Sequence, residues 1–144
     1  MEPVQDTFKK LLKDEIAPAL RRIGLTGSGQ NYSISSDNYW ALIGFQKSMY
    51  SDSNELKFTI NLYVVEKQKW DEARIERSHF PVKPTATVSW GVGWGQRIGF
   101  LLPEKCDHWW SLNQSTDLKN LVAQVLDAII NNAIPSMREH MQNA

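Results

Sequence analysis

The chain has 144 residues, enough for one domain that buries about 70% of the surface of its unfolded form. Hydrophobic residues make up 42% and charged residues 22%, which excludes disordered, collagen-like and fibrous chains. Sixteen Lys and Arg balance sixteen Asp and Glu, so the basic field of a nucleic-acid binder is missing. Six Trp are the compositional outlier, and four of them (Trp90, Trp94, Trp109 and Trp110) fall within one short stretch.

The first residues, Met1 to Asp6, show neither a basic leader nor an apolar segment behind one. No stretch approaches the roughly 18 apolar residues of a membrane-spanning helix. The expectation is a cytoplasmic protein with no membrane contact. Cys106 is the single cysteine, so an intramolecular disulfide is excluded.

From about Asp6 to Ile23, Phe8, Leu11, Leu12, Ile16, Ala19, Leu20 and Ile23 recur at three- and four-residue steps, one face of a helix. Asp6 or Thr7 is placed to cap its start and Gly24 to end it. Pro18 lacks an N–H and its ring crowds the carbonyl of Asp14, so a kink or restart is expected there. Gly24 to Gln30 is a turn-rich connector. Asn31–Ser35 and Tyr39–Ser48 follow as two strands around the turn Ser36-Asp37-Asn38. The second strand is apolar on both faces at its start, which calls for cover on both sides.

After the turn at Ser51–Asn54, the stretch Leu56 to Val65 alternates most clearly. Leu56, Phe58, Ile60, Leu62 and Val64 point one way; Lys57, Thr59, Asn61 and Tyr63 point the other. Glu66 to Lys83 is dense in charge of both signs and reads as a short, largely exposed helix with Trp70 and Ala73, followed by a loop. From Thr85 the two-residue period returns, with Ala86, Val88, Trp90, Val92 and Trp94 on one face of an expected strand. Arg97–Leu102 and His108–Leu112 read as the last strands. A long helix closes the chain, with Leu118, Leu121, Val122, Val125, Leu126, Ile129, Ile130 and Ala133 as its apolar stripe. Ser115, Thr116 or Asp117 caps it, and Pro135 ends or kinks it. The architecture expected is α+β: a single domain over residues 1–144, a curled antiparallel sheet of four to six strands, and the N- and C-terminal helices packed on one face.

Several segments together, in order, resemble a bacterial family known as a domain of unknown function, number 4304. They are FKKLLKDEIAPALRRIGLTGSG, IGFQKSMYSDSNELKFTINLYVV, RIGFLLPEKCDHWWSL and STDLKNLVAQVLDAIINNAIP. Leu25 is a mild departure, since the family more often has Phe after the helix-ending glycine. The resemblance implies the same α+β layout and no established activity. It also implies, by analogy with the company such small families keep, an immunity protein that accompanies a toxin.

Trp90-Gly91-Val92-Gly93-Trp94-Gly95 has two readings. Three glycines let a ligand or another backbone approach a groove walled by Trp90 and Trp94, or those two Trp fill the core while the glycines permit curvature. Trp109 and Trp110 are neighbours, so in a strand they face opposite sides, one toward the core and the other toward a surface where Trp is enriched in binding. Arg97, beside small residues, has the fork geometry that reads a carboxylate or phosphate, or it pairs with a neighbouring acid such as Asp107. Cys106, Asp107, His108 and His79 match no zinc spacing, and Gly27-Ser28-Gly29 follows a helix, the reverse of a phosphate cradle. No nucleophile, metal or nucleotide motif occurs, and no cofactor is expected.

Two functions follow. The first is a non-catalytic interaction domain that binds and neutralises another protein, using Trp109 or Trp110 or the charged segment around Trp70. The second is a small-ligand pocket or an enzyme on the small-residue sheet face, anchored by Arg97 and Asp107 near Trp90 and Trp94.

Overall fold

The computed structural model describes residues 2–142. Six strands, β1 (Leu25–Ser28), β2 (Asn31–Ile34), β3 (Tyr39–Lys47), β4 (Glu55–Glu66), β5 (Trp94–Arg97) and β6 (Trp110–Asn113), form one antiparallel sheet. The order across it is β1-β2-β3-β4, and the far edge of β4 carries two short strands end to end. Asn61–Val64 pairs with β5, and Glu55–Phe58 pairs with β6. The chain is therefore α+β, with both terminal helices on one face of the sheet, here called inner.

That face is apolar because β4 alternates as read from the sequence. Leu56, Phe58, Ile60, Leu62 and Val64 are all buried in one cluster with Phe8, Leu11, Ile16 and Leu20 from the N-terminal helix and Leu121, Val125, Ile129 and Met137 from the C-terminal one. Phe58 is central, its ring 5.0 Å from Phe8 and 5.6 Å from Trp110.

Both terminal helices absorb their prolines in the same way. The N-terminal helix runs as Val4–Leu11, a π-helical turn Leu12–Ile16, and Ala17–Arg22. The C-terminal one runs as Leu118–Ala128, a π-helical turn Ile129–Ala133, and Ile134–Gln142. In each case the proline is the second residue after the wide turn, where Ala17 N–H donates to Leu12 O and Ile134 N–H to Ile129 O. The five-residue spacing widens the helix where a proline ring would crowd the carbonyl four residues back. Pro135 thus does not end its helix. The N-terminal helix also begins earlier than expected, at Val4 after Pro3, with no side-chain cap from Asp6 or Thr7. Asp117 does cap the C-terminal helix, accepting from Asn120 N–H at 3.1 Å.

The connector at 24–30 contains the edge strand β1. Gly27 there has φ +129°, and a Cβ on it would lie 2.2 Å from Asn31 O, so the β1–β2 turn closes only around glycine. Arg21 donates through both Nε (3.1 Å) and a terminal nitrogen (2.9 Å) to Gly27 O, so this edge carbonyl is already occupied.

The outer face is covered at one end only. The middle helix, Lys67–Glu76, and the chain from 77 to 93 lie over β3 and β4 there, burying Leu42, Tyr63, Val65, Trp70, Phe80 and Ala86. The expected strand over 85–94 is instead an irregular strap, with only Trp94–Arg97 in the sheet. Gly91 (φ +78°) and Gly93 (φ +81°) turn it in the left-handed region, and any Cβ on Gly93 would strike Val65 and the Val64 carbonyl. The expected strand 97–102 likewise stops at Arg97 and becomes a 3-10 turn, Ile98–Leu101. The returning segment 106–108 takes the place beside β4, where Thr59 donates its hydroxyl to His108 O at 2.7 Å. It crosses so close to Gly99 that a Cβ there would lie 2.2 Å from Cys106 O. Among the described residues no helix is long and apolar enough to cross a membrane.

Candidate functional site

The end of the outer face that the middle helix leaves open is built from alternate residues of β4. Asn61 points there, while Thr59, two residues along, is fully buried against the 106–108 segment; the β4–β5 register sets Arg97 opposite Asn61 and Gly95 opposite Tyr63. Asn61 donates to the Gln46 side chain at 2.7 Å, so this polar floor is satisfied within the sheet. A groove of about 440 Å³ runs between the floor and the strap, bounded by Asn61, Tyr63, Trp90, Gly93, Gly95 and Arg97. Phe100, partly exposed, stands at its rim.

Beside the groove, three residues singled out in the sequence meet. Arg97 donates to one carboxylate oxygen of Asp107 at 2.9 Å, and the Trp109 indole N–H donates to the same oxygen at 3.1 Å. The Arg97 guanidinium lies over the Trp109 ring, 5.0 Å from its centroid. Three side chains hold one another in place. Arg97 keeps further N–H donors and Asp107 its second oxygen for other partners. The Arg97–Asp107 side chains are 34% and 41% exposed, so the pair sits at a wet rim and its net contribution to stability is small.

The other candidates are dispersed. Trp110 is 5% exposed and belongs to the inner core, as alternation requires of the neighbour of Trp109. Trp70 is 0% exposed, so in the folded chain it offers nothing to a partner. Its indole N–H is shared between Pro81 O at 3.2 Å and Val82 O at 3.1 Å, which lets so large a polar aromatic be buried. The sequence placed it on an exposed helix because the charged neighbours masked the loop that covers it. Trp90 and Trp94, expected on one face, lie on opposite sides of the sheet. Trp90 packs edge-on against the stacked pair Trp70 and Phe80, donating to Thr85 O at 2.9 Å. Trp94 packs on the inner cluster and stacks on His140 of the C-terminal helix at 4.0 Å. The two left-handed glycines between them reverse the alternation.

Tyr63 links groove and strap, its phenol donating to Val92 O. Burial pushes this phenol up to about 12. Asn61, Tyr63 and Phe100 were not singled out from the sequence. The wet-face alternation of β4 signalled the first two, while the exposure of Phe100 comes from the 3-10 turn.

The sequence model of a domain of unknown function (DUF4304) matches residues 16–139, most of the chain. The chain belongs to the DUF4304 family, and an antiparallel sheet with N- and C-terminal helices is the form this family takes here. No curated protein matches it, and no solved structure does.

Proposed function

We propose that the chain is a non-catalytic interaction domain that binds another protein through the open end of the outer face. The observation that supports this reading is the Arg97–Asp107–Trp109 triad: a partly exposed Trp and an Arg are held in one arrangement before any partner arrives. Trp and Arg dominate interface hot spots, and side chains already ordered lose less entropy on binding. That the partner is a toxin and the domain its cytoplasmic immunity protein rests on the analogy with small bacterial families alone. The test is affinity capture of the tagged chain from its host, then binding of the purified partner to variants. Trp109→Ala and Arg97→Ala should each weaken the complex at least tenfold while leaving the melting temperature nearly unchanged. Unchanged affinity in both would move the interface elsewhere.

The groove of about 440 Å³ favours a second reading, a small-ligand site on the glycine face with Arg97 as its polar anchor. A metabolite screen by thermal shift separates the two, since a ligand that stabilises the parent chain but not Arg97→Ala would establish the pocket.

A further inference from the structure

On the covered end of the outer face, two residues along β3 from Leu42, which pairs with the groove residue Tyr63, two lysines share one indole. The Lys67 ammonium lies 4.6 Å and the Lys83 ammonium 5.4 Å from the centroid of the Trp40 ring. They come from different elements: Lys67 begins the middle helix, and Lys83 lies on the strap that follows it. Lys67 is fixed further by donating to Ser36 O at 2.8 Å. Among the described residues neither ammonium has a carboxylate within 4.0 Å, and Asp37, the acid in the adjoining wall, is exposed and pairs with neither.

Bringing two ammonium groups to one ring is electrostatically unfavourable unless something negative joins them. The ring's negative face offsets this in part. Lysine normally spends its side-chain freedom in solvent, and here one of the two is held twice. The surroundings supply further donors. A recess of about 250 Å³ beside Trp40 and Lys67 is walled by Ser33, Ser35 and Ser36. A second recess, of about 350 Å³, lies on the other side of Ser33, which lines both, and is walled by Lys83 and Thr85. Ser36 Oγ already accepts from Asn38 and Tyr39 N–H, so its own proton is free to be donated.

Two point charges and a wall of hydroxyls suit a compact dianion that accepts from several directions, as a phosphoryl group does; a single carboxylate brings only one negative charge against the two ammonium groups. We infer that Trp40, Lys67 and Lys83, with the serines of the β2–β3 turn, form a binding site for a phosphoryl-type dianion. The site is separate from the Arg97 surface and stands whether or not that surface binds a protein.

The test is a titration of the folded chain with inorganic phosphate and with pyrophosphate at constant ionic strength. It is followed by the indole N–H signal of Trp40 in a proton–nitrogen correlation spectrum, assigned by its loss in Trp40→Phe. Saturable movement of that signal is expected for both anions, with sodium chloride at equal ionic strength giving none. Lys83→Gln, exposed and therefore safe for folding, should weaken the binding at least fivefold, and the pair Lys67→Gln with Lys83→Gln should abolish it. Tighter binding of inorganic phosphate than pyrophosphate would identify a free phosphate as the ligand, and the reverse a phosphate ester or anhydride. Chloride acting as well as phosphate, succinate matching phosphate, or full binding by the double variant would each overturn the proposal.

Discussion

The two faces of the sheet are held by different means. Among the described residues, the inner face has 28 buried apolar residues, drawn from both terminal helices, five of the six strands and the 3-10 turn at Ile98. The outer face has six, and they are held down by polar ties. The Trp70 indole donates to Pro81 and Val82 carbonyls, Trp90 to Thr85, Tyr63 to Val92, and Arg77 to Trp90 O at 2.8 Å. Area-driven burial is non-directional, so the inner layer needs only volume and pattern. The outer layer depends on donors reaching particular carbonyls, and an unmet buried partner costs more than the bond contributes. The difference teaches that the layer which could open, and which carries both candidate surfaces, is the one specified by geometry.

The largest effect is expected at the centre of the inner layer. Phe58→Ala should cost about 3–5 kcal/mol in denaturant unfolding, because the cavity it leaves is enclosed by Phe8, Phe45 and Trp110. Trp70→Ala, also fully buried, is the paired test. It should strip hydrogen-exchange protection from residues 67–93 while amides facing the inner layer keep theirs. Equal loss in both layers would mean that they fold as one cooperative unit and would end the distinction.

Next is the crossing at Gly99. Gly99→Ala should cost about 1–3 kcal/mol, since its Cβ would lie 2.2 Å from Cys106 O and the 106–108 segment would have to shift. The same shift should loosen Asp107 from Arg97, so the indole N–H of Trp109 should move in the spectrum. An unmoved signal would show that the triad does not depend on this crossing.

A smaller effect concerns pH. The Tyr63 phenol in the fold titrates near 12, above the ordinary 10.0, because burial disfavours its anion. Burial raises Tyr32 as well. A group raised in the fold contributes its full stability below the unfolded value, and that contribution is lost as pH climbs from 10 toward 12. Stability should therefore fall with alkali, and Tyr63→Phe should flatten that slope while Tyr32 keeps part of it. An identical slope in Tyr63→Phe would show that the outer layer does not govern the alkaline limb.

The smallest effect lies at the β3–β4 turn, outside both layers. Backbone N–H groups of Glu55 and Asn54 donate to Asp52 and hold its carboxyl below the ordinary carboxylate range. Its contribution is complete above that range and disappears as pH falls through it. Asp52→Ala should therefore speed exchange of the Asn54 and Glu55 amides at neutral pH and remove its acid dependence. Unchanged exchange would show the turn is held by its backbone bonds alone.

Much was legible without coordinates wherever a residue's fate depends on its neighbours in sequence. The period of β4, the stripes of the terminal helices, the opposed fates of Trp109 and Trp110 and the pairing open to Arg97 and Asp107 all follow from local alternation and charge. So did the α+β layout, because apolar faces of two helices and one strand require a shared interior. What tertiary structure alone decided were the places where distant segments compete for one site. Trp94 and Trp90 part because glycines 91 and 93 bend the strap over Val65. The strand after Arg97 stops because residues 106–108 claim the space beside Thr59. Trp70 disappears under a loop whose composition reads as solvent-facing. In each case the deciding contact joins residues far apart along the chain, so no periodicity within either segment records it.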